Sequence, residues 1–240
     1  MIDKALLTHA AASLGVTIAP ETADKFDLYA HRLTEWNERI NLTAITEPDA
    51  IVLKHFADSL SLLPFLPTEP FSLIDVGTGA GFPSVPLALL RGDITFTLLD
   101  SLQKRLTFLD ALCRELGLSP TLVHARAEDA GHQPTLRERF DVATARAVAA
   151  MPVLAEYCLP LIRPGGQWIA LKGPAGETEL AAAETAIDKL GGKLAQVRSL
   201  TLPGTADIPP ESRTLIFIDK VRPCAPVYPR PAAKITKKPL

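Results

Sequence analysis

Ser72-Leu73-Ile74-Asp75-Val76-Gly77-Thr78-Gly79-Ala80-Gly81-Phe82-Pro83 decides the fold of this chain. Apolar residues surround one acid, then glycine returns at every second position. That pattern describes a buried strand ending in a turn where backbone must approach another group closely. Leu98-Leu99-Asp100 is a second apolar strand ending in an acid. Together they describe a nucleotide or nucleoside pocket at the carboxyl edge of a parallel sheet. A kinase or GTPase loop would end in Gly-Lys-Ser/Thr, but Phe82-Pro83-Ser84 follows with no lysine to hold phosphates. The dinucleotide fingerprint needs a glycine where Phe82 stands. Asp75 opposes a diphosphate but suits the ammonium of a methionine-like group. Asp100 can accept from both hydroxyls of a ribose. Gly77 and Gly79 leave room for the ligand. S-adenosyl-L-methionine (AdoMet) fits this set best; a tight structural turn with Asp75 capping a helix is the alternative.

Outward from this stretch, strands are predicted at 71–76, 94–99, 120–124, 140–144 and 166–171, with helices near 83–91, 101–116, 151–160 and 177–190. This alternation gives a parallel sheet with crossovers on both faces. Two late strands, 193–201 and 212–219, are joined without a helix and read as an antiparallel hairpin. The expected fold class is α/β: the Rossmann-like class I AdoMet-dependent methyltransferase fold, a mainly parallel seven-stranded sheet with a C-terminal antiparallel hairpin and an N-terminal helical extension. Residues 1–66 form that extension. Phe26, Tyr29, Leu33, Trp36 and Ile40 recur at helical spacing, and a second helix is predicted from Pro48 to Leu63. Residues 67–222 form the methyltransferase domain. Residues 223–240 carry Arg230, Lys234, Lys237 and Lys238, several prolines and no acid, and read as an extended tail. It is either a solvated end or an arm for phosphates.

At 240 residues and 47% hydrophobic content, one domain with an appendage is expected. A net charge of -2 leaves no dominant basic field, though a local one remains open. Cys113, Cys158 and Cys224 are far apart and odd in number, which fits a reduced compartment. The first residues lack a signal-peptide pattern and no run is long enough to span a membrane, so a cytoplasmic protein without membrane contact is expected. The histidines show no metal spacing, and no metal is predicted. A monomer needs no added assumption.

Several residues read as parts of the site. Phe82 is expected to close the pocket wall against the cofactor. Backbone at Ala127 and the Glu128 carboxylate, after the third strand, should meet an adenine edge. Arg146 ends the fourth strand, at the edge where chemistry happens. His55 and Asp58 share a helical face and either line the substrate side or clamp the extension to the sheet. Lys172, at a strand end, reads as a phosphate contact. Cys113 and Cys158 read as core. The Asp/Asn-Pro-Pro-aromatic loop of amino-group methyltransferases is missing, since Thr144-Ala145-Arg146-Ala147 stands there. These absences favour a ring-nitrogen acceptor. A small-molecule methyltransferase and a non-catalytic AdoMet-binding module are the rival readings.

The chain resembles the bacterial RsmG family, also called glucose-inhibited division protein B. The pieces that carry the resemblance are Asn41-Leu42-Thr43, Lys54-His55-Phe56-Ala57-Asp58-Ser59-Leu60, the Asp75 to Pro83 turn, Leu99-Asp100-Ser101, Arg126-Ala127-Glu128, Ala145-Arg146-Ala147, Leu171-Lys172-Gly173 and Tyr228-Pro229-Arg230. The resemblance implies methyl transfer from AdoMet to N7 of one guanine in 16S rRNA of the bacterial small ribosomal subunit. It implies cofactor contacts at Gly77, Phe82, Ala127, Glu128 and Arg146. N7 carries a lone pair and no proton, so no catalytic general base is expected. The family tail often has glycine after Tyr-Pro-Arg, where Pro231 stands here, and Ser84 replaces a usual glycine.

Overall fold

The computed structural model describes residues 1–240. Its strands are β1 (Ser72–Val76), β2 (Thr95–Asp100), β3 (Thr121–His124), β4 (Phe140–Arg146), β5 (Ile162–Lys172), β6 (Gly192–Leu202) and β7 (Glu211–Lys220). They form one sheet in the order β3-β2-β1-β4-β5-β7-β6. β1 to β5 pair in parallel, while β7 runs antiparallel to both β5 and β6. This is the Rossmann-like class I methyltransferase fold with its terminal hairpin. β1 is buried from Leu73 through Val76 because both faces of the sheet are covered. The chain moves outward from β1 to β3, then returns to β4 on the other side. The carboxyl ends of β1 and β4 therefore flank the point where ligands bind in open α/β sheets.

The helices are α1 (Lys4–Ser13), α2 (Pro20–Ile40), α3 (Pro48–Ile51), α4 (Asp58–Leu60), α5 (Ser84–Leu90), α6 (Gln103–Leu116), α7 (Ala127–Ala130), α8 (Met151–Cys158), α9 (Gly176–Lys189) and α10 (Ala232–Lys237). Asp3 caps α1 by accepting from the Ala5 and Leu6 amides. Pro20 opens α2, where its missing N–H is harmless. Phe26, Tyr29, Ala30 and Leu33 form the buried stripe of α2. Asn41 then takes a left-handed φ of 49°, and the Asn37 side chain accepts from the Leu42 and Thr43 amides to fix the turn.

The stripe of α2 joins Leu73, Phe82, Phe96 and Phe108 in one buried cluster. The change in rhythm at residue 66 is thus a change in local pattern, while the core runs straight across it. The opposite face of the sheet packs α8 and α9 against Ile74, Ala143, Trp168 and Ile216.

Three expectations need correction. The helix predicted from Pro48 to Leu63 is not uniform: Val52–Ala57, between α3 and α4, is wound as a π-helix. The short α7 stands just after the third strand, where no helix is predicted from the sequence. The tail is neither extended nor loose. Its longest proline-free stretch, starting at Ala232, forms α10, with Pro231 just outside the first turn. Ile235 is fully buried, and Tyr228 and Leu240 pack onto the core of the α8–α9 face.

Candidate active site at the carboxyl edge of the sheet

A cleft of about 280 Å³ opens at the ends of β1 and β2. Gly77, Asp100, Arg105, Ala127, Glu128 and Tyr157 are among the residues lining it. Its glycine turn is tied to the neighbouring strand: the Gly77 and Thr78 amides both donate to the Leu99 carbonyl, at 2.9 and 3.1 Å. The Gly79 amide donates to Asp100 Oδ2 at 3.0 Å, and the Leu102 amide to Oδ1 at 2.8 Å. Two backbone donors thus hold the Asp100 carboxylate in place, with lone pairs left over for a diol. Arg105 Nη1 lies 3.3 Å from Asp100 Oδ2, while its buried Nε has no partner in the protein. An anchored acid, an unsatisfied donor, open backbone at Gly77 and an aromatic ring at Tyr157 fit the adenosine part of AdoMet. Ala127 and Glu128 line the same cleft from α7, where an adenine edge was expected.

Four predicted cofactor residues do not line this cleft: Gly79, whose amide is spent on Asp100, Arg146, which lines the neighbouring cavity, Asp75 and Phe82. Asp75 is completely buried. Its Oδ2 accepts from Thr78 Oγ1 at 2.9 Å and its Oδ1 from Thr144 Oγ1 at 3.5 Å. The direct pairing with a methionine ammonium is therefore corrected: Asp75 shapes the turn through Thr78. Phe82 also points inward. Its ring stacks between Tyr29, at 5.2 Å, and His55, at 4.4 Å, and Arg146 Cζ lies 4.9 Å from its centroid. It supports the turn from below rather than walling the cleft. Tyr29 adds a hydrogen bond from its hydroxyl to the Ala80 carbonyl at 2.5 Å, so α2 grips the glycine turn directly. Tyr29 had shown in the sequence only as one apolar position in a helical stripe.

A second cavity, of about 440 Å³, adjoins the first and shares Ala147 with it. Here the structure brings His55, Asp58 and Arg146 together. Asp58 Oδ2 accepts from Arg146 Nη1 at 2.8 Å, and Oδ1 accepts from Arg213 Nε at 2.6 Å. Arg146 also donates to the Lys54 carbonyl at 3.1 Å and lies 3.1 Å from His55 Nδ1. Since arginine only donates, His55 Nδ1 is the acceptor and its proton sits on Nε2, which donates to Thr43 Oγ1 at 2.8 Å. The Asn41-Leu42-Thr43 turn thereby fixes the imidazole tautomer. The widened π turn is the segment that presents Lys54 and His55 to Arg146. Arg213 and Glu211, from β7, complete the wall. Nothing in their local sequence marks them, because they reach the site only through the pairing of β7 with β5.

Burial, and next the charge of Arg146, push the His55 imidazole down to about 3, so it is neutral near pH 7. Burial pushes the Asp75 carboxyl up to about 7, against the opposing pull of Thr78, Ser84 and Arg146. An unfolded aspartate titrates near 3.9. The native state therefore binds the extra proton between these values. The stability from Asp75 is full below about pH 4 and is lost as pH rises through about 7. Replacing Asp75 with Asn removes this slope. Between pH 5 and pH 8, wild type should lose on the order of 2 kcal/mol relative to Asp75→Asn. Urea unfolding at the two pH values checks it; parallel losses in the two proteins would contradict the raised value. His55 acts with the opposite sign, losing stability as pH falls from its unfolded value toward 3.

The remaining predicted contacts divide. Lys172 lines the second cavity, but its ammonium already donates to the Ala149 carbonyl at 2.7 Å and to Glu179 at 2.8 Å. It braces the wall instead of offering a free charge to phosphate. Arg230 is likewise corrected. Its guanidinium is held by the fully buried Glu156 carboxylate, at 2.7 Å between Nη2 and Oε2. Lys234, Lys237 and Lys238 are exposed and line neither cavity. All three cysteines are buried, and burial pushes the Cys113 thiol up to about 12 and the thiols of Cys158 and Cys224 upward too. None is poised as a nucleophile.

The family described as rRNA small subunit methyltransferase G, or GidB, matches residues 22–206. The chain belongs to this family. A small subunit rRNA methyltransferase G from Lactobacillus delbrueckii subsp. bulgaricus is 48% identical over 227 residues, covering 93% of each chain. One from Clostridium botulinum is 45% identical over 239 residues, covering 98% of each. The GidB match takes in the glycine turn, the π-wound segment and Arg146, so the first cavity lies within it and the second does except for Glu211 and Arg213. Among solved structures, a precorrin-6y C5,15-methyltransferase from Geobacter metallireducens superposes with a TM-score of 0.52 at 16% identity, covering 73% of this chain and 90% of that one. A 16S rRNA (adenine(1408)-N(1))-methyltransferase mutant from Catenulisporales acidiphilia gives 0.52 at 17%, covering 65% and 87%. At such identities these two show the shared fold. As a GidB-family protein the chain is an AdoMet-dependent methyltransferase, and no helix in it is long and apolar enough to cross a membrane.

Proposed function

We propose that this chain transfers the methyl group of AdoMet to N7 of a guanine in the 16S rRNA of the bacterial small ribosomal subunit. The observation that carries the reading is the junction of the two cavities at Ala147, with the acceptor side built from hydrogen-bond donors. Lys54 pairs with Glu211 at 2.7 Å and both Arg146 and Arg213 pair with Asp58, and the N–H groups these pairs leave over suit guanine O6 and the adjoining phosphates. The family's relatives, which carry small-subunit rRNA in their name, point to the same substrate.

AdoMet would supply an electrophilic methyl group, held in the cleft by Asp100, Glu128 and the backbone at Gly77 and Ala127. The acceptor lone pair attacks without losing a proton, so the protein's part is in-line placement and exclusion of water. His55 does not act as a base, because its free lone pair is occupied by Arg146. Arg146 holds the junction through Asp58, His55 and the Phe82 ring. Positive charge passes from the sulfonium to the guanine ring, and Asp58 keeps its two arginines from opposing that transfer. Lys234, Lys237 and Lys238 are exposed, and in this reading they contact RNA phosphates away from both cavities; the chain acts as a monomer without a metal.

The test uses protein, labelled AdoMet, naked 16S rRNA, small subunits and a pool of metabolites. Nuclease digestion and mass spectrometry should yield 7-methylguanosine from one RNA site. Label confined to metabolites, to ribose or to pyrimidine C5 would overturn the reading.

A further inference from the structure

We infer that residues 223–240 are a buckle that positions the adenine end of the cofactor cleft, fastened by Arg230 on Glu156. The inference rests on the AdoMet reading of that cleft. Glu156 lies on α8 with its side chain fully buried. Its Oε1 accepts from the Arg230 amide at 2.7 Å and from Nε at 2.9 Å, while Oε2 accepts from Nη2 at 2.7 Å. The next residue, Tyr157, lines the cofactor cleft. One residue of α8 thus holds the tail and its neighbour faces the cofactor.

The same segment backs α7, which brings Ala127 and Glu128 to the cleft. A Cβ on Gly131, at the end of α7, would stand 2.5 Å from the Pro229 ring, so helix end and tail are in full contact. His132 Nε2 is 2.7 Å from the Pro229 carbonyl. Arg137 donates through Nη1 both to the Gly131 carbonyl at 2.8 Å and to the Tyr228 carbonyl at 2.7 Å. A four-residue helix cannot hold itself in water. α7 keeps its shape because the tail pins its end, and the tail stays down because Arg230 neutralises a carboxylate that has no solvent. Removing either charge leaves its partner uncompensated. The proline-rich composition, which in sequence suggested a free arm, instead gives a rigid strap with little entropy to lose on docking.

Arg230 is thus a positioning residue: it touches no ligand and acts through α7 and α8. Coupling of this kind is reciprocal, so cofactor binding tightens the tail by the same factor that the tail tightens cofactor binding.

The experiment measures AdoMet affinity by calorimetry in the full chain without RNA, for wild type, Arg230→Met, Arg230→Lys and the double variant Glu156→Gln/Arg230→Met. The double variant leaves no unpaired buried charge, so it keeps the test open should Arg230→Met fail to fold. Expected results are an AdoMet Kd about tenfold weaker in Arg230→Met and in the double variant, with partial recovery in Arg230→Lys. Hydrogen exchange in residues 127–132 should quicken in the variants and slow again under saturating AdoMet. In wild type, AdoMet should slow exchange in residues 228–237. In turnover, the KM for AdoMet should rise while kcat at saturating AdoMet holds. A folded double variant with wild-type Kd and wild-type exchange at 127–132 overturns the buckle. That outcome would leave the guanine reading untouched, just as a product other than 7-methylguanosine would leave the buckle untouched.

Discussion

Gly77→Val should abolish cofactor binding, weakening AdoMet affinity at least a hundredfold in calorimetric titration. Two costs coincide at this position. The backbone sits at φ 71°, where a β-branched residue is strained by about 1–3 kcal/mol. A Cβ there would also stand 2.7 Å from Cγ2 of Val148, which lines the cleft itself. The side chain must either displace Val148 or rise into the space needed by the ligand. Gly81 gives the contrast. It has φ 98°, and its Cβ would meet Leu109, Tyr29 and Val85, each at 2.8 Å. Those atoms belong to the core, so Gly81→Ala should lower melting temperature first and affect the cofactor only through unfolding. A folded Gly77→Val protein with wild-type affinity would remove the cofactor from this cleft.

Asp58→Ala should cost about 3–5 kcal/mol of stability, the range for breaking a buried ion pair from one side. For a chain of this length that is a fall of roughly 6–20 °C in melting temperature. The carboxylate is 1% exposed and each of its oxygens holds a different arginine. Without it, Arg146 and Arg213 repel each other across the acceptor cavity. Displacement by an ångström at this junction should lower methyl transfer about a hundredfold even where the protein remains folded. AdoMet affinity should change little, because Asp58 lies outside the cofactor cleft. Thermal melts and single-turnover methylation separate the two effects. If Asp58→Ala methylates at the wild-type rate, the triad is scaffolding alone.

The fold was legible because its evidence is local. Alternation of apolar strands with amphipathic helices follows from the period of each element, and every strand predicted lies within a few residues of its observed bounds. The cofactor cleft was legible for the same reason: Gly77 and Asp100 sit at strand ends, and Ala127 and Glu128 open α7 just past the end of β3, where the topology must deliver them. Direction was harder to read than position. Asp75 at the end of β1 and Phe82 in the turn stand where expected, yet both face inward: a strand end has two faces, and the spacing of turn residues does not say which way a ring points. The acceptor side was half visible. His55, Asp58 and Arg146 carried recognisable patterns, but Arg213 reaches them only through an antiparallel register, Thr214 opposite Lys172, that no local signal encodes. The tail was misread for a related reason. Proline and one-sign charge describe an unstructured arm in isolation, and only the buried Glu156, far off in the sequence, turns Arg230 into an anchor.

The hydrogen bond between Asp58 and Arg213 spans 155 residues. Its consequence concerns the chain during translation. Ribosomes add about 5–20 residues per second. Asp58 and Arg146 therefore leave the exit tunnel well before Arg213, and the strand that carries Arg213 is among the last to emerge. The glycine turn and the ends of β1, β2 and β3 are complete by then, but the acceptor wall is not. A nascent or truncated chain lacking β7 has neither the wall that carries Arg213 nor the tail that pins α7 beside the cofactor cleft. The order of synthesis thus withholds methyl transfer from an unfinished chain, although it is made on a machine built of the very class of RNA proposed as its substrate.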